Sequence, residues 1–347
     1  MLTTLHINPE GPGEELVNLW NQTFGDDPQE ITRFYRHFSE VLEVLAELDE
    51  NEHIVSAVHF LPVEYRYFRG GWKGSYLYAA MTEKERRGEG IMSRMIWQRL
   101  RQGYQRGEEF LCTLPAEEEL YEYYGRFGME PVFVLHRATL TRQQLAERKL
   151  TLNIESKASP YYAYSSTFAR REYTVVKDKR FVQYTAIDNA TGGGIFSSLY
   201  AGYFYARPMD EVTIHVKELY LQGDSFPHFA AFLLRSFPNA QRFVFDFCPG
   251  TCPNGLDFIE IRSGSARLIR LEKTLRSFAA KHRDLEMSFS LEDGIIEENS
   301  GDYHVKDGMV RRTDYTGTLM QLTIAQLTRQ IMTDNGKGHP YMNMMLD

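Results

Sequence analysis

Gly88 and Gly90 lie where the sequence predicts that a strand turns into a helix. An aromatic and apolar run at 76–81 precedes them, and apolar residues recur at helical spacing from Ile91 onward. A glycine turn that opens a helix directs free backbone N–H groups and the positive end of the helix dipole at one spot. The charged residues of the turn are Arg86, Arg87 and Glu89. The turn therefore predicts a site for a phosphorylated ligand.

The turn taken alone is also typical of an ordinary connection between a strand and a helix. The helix behind it is predicted to be amphipathic, with an apolar stripe of Ile91, Met92, Met95, Ile96 and Leu100. A Walker-type phosphate loop is excluded, because no Gly-Lys-Ser or Gly-Lys-Thr follows the glycines. A dinucleotide fingerprint would need a third glycine, which this turn lacks.

Tyr124 belongs to a second segment that could do chemistry. The run 110–114 is predicted to be a strand, and a helix is predicted to start at Pro115, with acids in its first turn. This helix is predicted to end at 124–128, so that Tyr124 lies near its last turn. A phenol held there can act as a general acid. A partly buried helix tyrosine is the alternative, in a chain with 21 tyrosines.

The two segments together resemble the Gcn5-related N-acetyltransferase (GNAT) superfamily. Its acetyl-CoA motif is Gln/Arg-x-x-Gly-x-Gly/Ala before a helix, and the matching window here is 85–90, with Glu85 in the usual Gln or Arg place. The resemblance implies that Tyr124 lies beside the cofactor sulfur and protonates the CoA thiolate. The residues it implies for acetyl-CoA binding are Tyr78, Ala79 and Ala80 at the strand end, and Arg86, Arg87, Gly88, Glu89, Gly90 and Ile91 at the turn.

The middle of the chain repeats this order of elements without the glycine turn. Strands are predicted at 181–187 and 195–200, separated by a turn at 191–194. A further strand at 212–221, an amphipathic stretch at 226–237 and a strand at 241–247 follow; these are predicted only from their patterns. Because no Gly-x-Gly turn opens the second helix, this segment is not expected to bind CoA.

The last segment is predicted to begin with a helix whose apolar face carries Leu268, Leu271, Leu275 and Phe278. A strand at 286–291, a turn at 299–301, a strand at 302–305 and a helix at 323–332 are predicted after it. Taken with the rest, the chain resembles the enhanced-intracellular-survival (Eis) acetyltransferases. The closest match is Tyr124-Gly-Arg-Phe-Gly, with weaker support from the 267–273 helix and the turn at 299–303.

This second resemblance implies a mixed α+β and α/β fold in three domains. Residues 1–148 would form an active GNAT domain, 149–263 a degenerate GNAT domain, and 264–347 a domain like sterol carrier protein 2 (SCP2). In that family the chain's terminal carboxylate returns to the active site as general base, a role that falls on Asp347 by position. The apolar tail 341–346 fits such burial, and a tail packed on the body is the alternative.

The resemblance further implies a homo-oligomer, for example a hexamer, and a primary amine substrate: an aminoglycoside, a polyamine or a lysine side chain. Acids and aromatic rings would suit an ammonium group, and Asp26 and Phe34 lie where the family lines its amine pocket. Asp26-Asp27-Pro28 is equally typical of a helix start.

The composition agrees with this interpretation. With 39 Lys and Arg against 47 Asp and Glu, the formal charge of −8 argues against a nucleic-acid partner. The three cysteines form no disulfide framework and no zinc motif, so no metal is expected, and free thiols indicate a reducing cytoplasm. No leader-like start and no long apolar run is seen, so no membrane is expected as partner. Two alternatives remain open: a CoA-binding sensor or scaffold without turnover, and a tandem-GNAT aminoacyl or peptidyl transferase.

Overall fold

A computed structural model describes residues 1–149, 155–156, 158–168, 171–199, 202–312 and 319–346, with the backbone alone at 155, 156 and 199. These residues form two compact units, each built from two stretches of chain. Met1–Val132 and Gly264–Gly338 make the first unit, and Phe133–Ser263 makes the second together with the segment that starts at His339. The three-domain division expected from the sequence stays a prediction.

The elements up to Gly125 are β1 (Leu2–Leu5), α1 (Glu14–Phe24), α2 (Pro28–Phe38), β2 (Glu43–Leu48), β3 (Ile54–Tyr67), β4 (Gly70–Thr82), α3 (Ile91–Arg106), β5 (Phe110–Thr113) and α4 (Glu118–Gly125). Those that follow up to Leu268 are β6 (Glu130–Thr141), α5 (Arg142–Glu147), β7 (Glu155–Ser156), α6 (Pro160–Thr167), β8 (Thr174–Val176), α7 (Lys179–Thr191), β9 (Ile195–Leu199), β10 (Gly202–Pro208), β11 (Thr213–Leu221), α8 (Phe226–Ser236), β12 (Arg242–Phe247) and β13 (Ile259–Leu268). The remaining elements are α9 (Leu271–Lys281), β14 (Met287–Leu291), β15 (Gly301–Lys306), β16 (Met309–Arg312), β17 (Met320–Leu322) and α10 (Ile324–Met332).

The main sheet of the first unit has the strand order β1-β2-β3-β4-β5-β13. Neighbours are antiparallel except β4 and β5, which are parallel and joined through α3. Strand β13 reaches this sheet from far along the chain, pairing Ser265–Leu268 with β5. A smaller sheet, β16-β15-β14-β17, lies in the same unit.

Helix α3 is held on this sheet by the apolar stripe predicted from the sequence. Ile91, Met95, Ile96 and Leu100 are buried against strand residues such as Phe60, with Met92 partly buried beside them. Burial of each such side chain contributes roughly 1.5–3 kcal/mol. The stripe therefore fixes where the start of α3, and with it the glycine turn, lies on the sheet.

The second unit repeats the strand plan of the first. Its order is β7-β9-β10-β11-β12-β6. Here too the neighbours are antiparallel except for one parallel pair, β11 and β12, which is joined through a helix, α8. The helix start differs, because Ser225 and not a glycine is its N-cap residue, and Pro227 in its first turn has no N–H to donate.

Most of the predicted elements are confirmed, and two are wrong. Residues 181–187 lie in helix α7, not in a strand. The Asp178 carboxylate accepts the Phe181 N–H at 2.7 Å and caps this helix, and the buried residues follow helical spacing: Phe181, Val182, Tyr184, Thr185 and Asn189. Leu268 belongs to β13, because α9 begins only at Leu271.

The segment 341–346 packs within the second unit and makes one parallel β-bridge there, between Tyr341 and Thr174. The Tyr341 N–H donates to the Tyr173 carbonyl at 2.7 Å, and the Val175 N–H donates to the Tyr341 carbonyl at 2.9 Å. The Tyr341 ring stacks on Phe168 with centroids 5.3 Å apart. All residues of 341–346 are buried except the half-buried Asn343. Asp347, the predicted base, lies outside the described residues.

Two properties follow from the described residues as a whole. No helix among them is long and apolar enough to cross a membrane. No cluster of three or more His, Cys, Asp or Glu side chains among them is arranged to hold a metal ion.

Candidate active site

The glycine turn is an exposed loop whose shape depends on left-handed glycines. Gly88 has a φ of 87° and Gly90, the N-cap of α3, a φ of 74°. An added Cβ at Gly88 would meet nothing within 4 Å, so open space faces the turn. Among the described side chains none caps α3, so the N–H groups of its first turn have no partner within the helix. This geometry suits an anion.

The arginines of the turn are engaged with the turn itself. Arg86 Nε donates to both carboxylate oxygens of Glu89 at 2.9 Å, and Arg87 Nε donates to the Thr82 carbonyl at 3.1 Å. Arg94 donates to the Glu89 carbonyl at 3.0 Å. These bonds of Arg86 and Arg87 use only Nε, so the backbone N–H groups of the turn and the Nη groups of both arginines are donors that the turn can offer to an anion.

Strands β4 and β5 diverge beside this turn. Their parallel pairing runs from Gly74 with Phe110 to Leu77 with Thr113, where β5 ends. Strand β4 continues to Thr82, so its next residues, Tyr78–Ala80, present one backbone edge that β5 does not cover. A backbone edge of this kind can pair with the amides of an extended ligand.

A β-bulge lies in β4 at this point. His59 pairs with Tyr78 and Ala57 with Met81, so that Ala79 and Ala80 together face one residue of β3. Ala79 has a φ of 44°, a left-handed conformation that is unfavourable for a residue with a Cβ. All three residues predicted at the strand end thus lie at the bulge or next to it, half-buried.

Tyr124 lies where β4 and β5 separate. Its side chain is 5% exposed and belongs to the core beneath α3, which Ala80 also contacts. Its hydroxyl is hydrogen-bonded to Thr113. Because Thr113 Oγ1 donates its one hydrogen to the Leu77 carbonyl at 3.0 Å, the phenol is the donor in its own bond to Thr113.

The electrostatic setting keeps this phenol protonated. Burial raises the pKa of Tyr124 well above its usual value near 10, and the neighbouring Tyr123 raises it further. A group that stays protonated at neutral pH can donate a proton, but it cannot serve as a base. The adjacent Tyr123 has a different partner: its hydroxyl lies 3.2 Å from that of Ser93 in the first turn of α3.

Of the two predicted substrate residues, Phe34 contacts Tyr78 and Asp26 contacts Trp20. Asp26 is exposed and accepts the Trp20 indole N–H at 2.7 Å. The next residue, Asp27, caps α2, which agrees with the alternative that this segment is a helix start. Phe34 is buried, and its ring centroid lies 5.4 Å from that of Tyr78. Phe34 is therefore part of an aromatic cluster behind the strand end, and Asp26 lies at the edge of that cluster.

The sequence interpretation missed His59 and Thr113. The available signals were a lone histidine in the apolar strand 54–63 and a threonine at the last position of β5. Neither identifies a partner, because the partners Ala79 and Leu77 become neighbours only when β4 pairs with β3 and β5.

Comparison with known proteins agrees with this geometry. Residues 10–132 match the family model described as acetyltransferase (GNAT) domain. No curated protein matches the sequence. The chain is similar in structure to a conserved protein of unknown function and probable N-acyltransferase from Enterococcus faecalis V583, with 17% identity, a TM-score of 0.76, and 96% of this chain and 90% of that chain covered.

Two further solved structures are similar over the same span. One is a GCN5-related N-acetyltransferase from Kribbella flavida, with 14% identity, a TM-score of 0.75, and 96% of this chain and 89% of that chain covered. The other is Eis1 from Mycobacterium abscessus, with 14% identity, a TM-score of 0.69 and the same two coverages, 96% and 89%. At such identities the likeness shows a shared fold, a mixed α/β fold of GNAT type.

The matched residues contain the α3 turn, the bulge of β4 and Tyr124. GNAT acetyltransferases use acetyl-CoA and act on amines. Residues 10–132 are thus an acetyltransferase domain of the GNAT type, and this chain is an acetyltransferase.

Proposed function

We propose that this chain transfers the acetyl group of acetyl-CoA to a primary amine, by direct attack in a ternary complex. The observation that carries the proposal is the divergence of β4 from β5 after Leu77. It leaves the backbone edge of Tyr78–Ala80 open beside the anion-binding start of α3. An extended ligand with a pyrophosphate at one end and amides along its length matches both features.

The residues of the turn and strand fit acetyl-CoA, which supplies an acetyl group activated as a thioester. The turn 86–91, with Arg86, Arg87, Gly88, Glu89, Gly90 and Ile91, would hold the pyrophosphate through backbone N–H groups. Tyr78, Ala79 and Ala80 would hold the pantetheine amides. Alignment of amine and thioester can supply ~7–11 kcal/mol of barrier reduction.

Tyr124 would donate the proton that the departing thiolate needs, since its phenol is buried, protonated and a hydrogen-bond donor. The Asp347 carboxylate would remove the proton of the attacking ammonium. The residues that precede it, Tyr341, Met342 and Met344–Leu346, are buried. Asp26 and Phe34 would contact the amine, whose class is an aminoglycoside, a polyamine or a lysine side chain by resemblance.

The repeated strand plan of the second unit supports a second, degenerate GNAT domain. Its equivalent helix α8 begins at Phe226, has Pro227 in its first turn and lacks the glycine turn, so it would not bind CoA. The C-terminal segment would form the SCP2-like domain, and the protein would be a homo-oligomer, for example a hexamer, in the cytoplasm.

The test is acetyl-CoA binding by calorimetry followed by free-thiol release with polyamines, aminoglycosides and lysine peptides. Amine-dependent release supports the proposal, whereas CoA binding without release with any amine would favour the sensor alternative. Asp347→Asn and a one-alanine C-terminal extension separate the side-chain carboxylate from the terminal one. Unchanged turnover in both variants would remove Asp347 from the mechanism.

A further inference from the structure

His59 lies directly behind the bulge of β4 and is fully buried. Its Nδ1 is 2.9 Å from the Ala79 carbonyl oxygen, and its Nε2 is 2.6 Å from the Tyr35 hydroxyl. Both ring nitrogens are therefore satisfied, one of them by the backbone of the bulge itself. Neither contact is needed for the strand ladder between β3 and β4.

The tautomer of His59 follows from these partners. A carbonyl oxygen only accepts, so Nδ1 carries the hydrogen and donates to Ala79. Burial lowers the pKa of His59 to about 4, so the ring is neutral near pH 7 and Nε2 has a lone pair. Tyr35 must then donate its hydroxyl hydrogen to Nε2. The result is a one-way relay from Tyr35 through His59 to the carbonyl of Ala79.

The ring of His59 is also held in place by its aromatic neighbours. Its centroid lies 5.1 Å from that of Trp20 and 5.4 Å from that of Tyr35. Trp20 in turn contacts Tyr78 with centroids 5.6 Å apart. The imidazole therefore has little freedom to release the carbonyl of Ala79.

We propose that His59 is a positioning residue for the edge of β4, Tyr78–Ala80, along which acetyl-CoA would lie. By bonding the Ala79 carbonyl it holds that residue in its left-handed conformation and sets the direction of the backbone groups of Ala79 and Ala80 at the open edge of β4. The role rests on the proposed function, since it matters for catalysis only if acetyl-CoA lies along that edge.

Two substitutions of His59 separate this role from simple packing. Asparagine places its amide nitrogen near the position of Nδ1 and keeps the bond to Ala79, whereas glutamine reaches toward Nε2 and loses that bond. We expect His59→Gln to lower kcat/KM for acetyl-CoA by about 10- to 100-fold, as for loss of a buried hydrogen bond, and His59→Asn to stay within about threefold. Both variants lose imidazole packing, so their melting temperatures should fall together. Exposed His53→Gln is the control.

Equal losses of kcat/KM in the two variants would overturn the positioning role. Nitrogen-15 NMR of histidine in the wild-type protein tests the relay without substrate or mutation: protonation at Nδ1 is expected, and protonation at Nε2 would overturn it. A wild type that shows the expected tautomer but no acetyl-CoA turnover would refute the proposed function, and the positioning role with it. If neither variant folds, Tyr35→Phe replaces them. We expect it to lower kcat/KM for acetyl-CoA by less than tenfold, and an unchanged kcat/KM would overturn the relay.

Discussion

Replacing Tyr124 by phenylalanine removes one oxygen atom from the point where β4 and β5 separate. A general acid at this place is worth ~10²- to 10⁴-fold in rate. This corresponds to ~3–5 kcal/mol of transition-state stabilisation. The cost to folding is much smaller, because among the described residues the hydroxyl bonds Thr113, whose own hydrogen already goes to Leu77. Loss of one such bond costs about 1 kcal/mol.

The assay is free-thiol release from acetyl-CoA at saturating amine, with unfolding by urea measured alongside. The matched control is Tyr123→Phe, which removes the adjacent phenol and its contact with Ser93. We expect kcat to fall at least about 100-fold in Tyr124→Phe and less than about threefold in Tyr123→Phe, at similar stability. Undiminished turnover in Tyr124→Phe, or an equal fall in both variants, would refute the assignment of Tyr124 as the acid.

Three further changes test the turn, the buried histidine and the core. Gly90→Ala places a side chain on a residue whose φ is 74° and should weaken acetyl-CoA binding in calorimetry by about tenfold. The control Gly25→Ala, with a φ of 81° and no neighbour within 4 Å, should lower only the stability of the fold. Equal affinities of the two variants for acetyl-CoA would contradict an anion site at the glycine turn. Because the pKa of His59 is lowered from 6.5 to about 4, the unfolded chain binds the extra proton between these values. The unfolding free energy should therefore fall by about 3 kcal/mol more in wild type than in His59→Asn as the pH drops from 7 to 4, and urea titrations showing parallel curves would contradict this. The buried Asp293 carboxylate accepts two bonds from Arg267, at 2.6 and 2.7 Å. Arg267→Leu leaves this carboxylate without its cation and should lower the unfolding free energy by about 3–5 kcal/mol. A change below about 1 kcal/mol in urea unfolding would contradict this.

The sequence was sufficient for features that depend on local chemistry. The Gly88 and Gly90 turn, the stripe of α3 and the proline start of α2 each lie within a few residues of their causes. Tyr124 was singled out because its segment stands at a fixed place after the turn and the next strand, and its catalytic role stays a prediction. Residues 10–132, which match a GNAT domain model, include it.

Features made by distant pairing could not be predicted. The bulge at Ala79 exists because β4 must accommodate an extra residue against β3, and its partner His59 is remote in sequence. The last strand of the first sheet, Ser265–Leu268, follows residues Phe133–Ser263, the first and longer stretch of the second unit. Leu268 belongs to this strand, although its apolar spacing had predicted that it lies on a helix face.

Helix α7 shows a different limit. Residues 181–187 alternate well enough to resemble a strand, yet they also carry apolar residues at helical spacing. The Asp178 cap and the packing of Phe181 and Val182 in the second unit decide the outcome. In short apolar runs of this kind, tertiary contacts decide between strand and helix.

The central claim, acetyl transfer to an amine, is tested most directly by following the acetyl group itself. Wild-type protein would be incubated with carbon-13-labelled acetyl-CoA and each amine of the panel, and the amines analysed by mass spectrometry. We expect at least one primary amine to gain the labelled acetyl group in proportion to the CoA thiol released. Bound acetyl-CoA with no labelled amine, or with only labelled acetate, would contradict it.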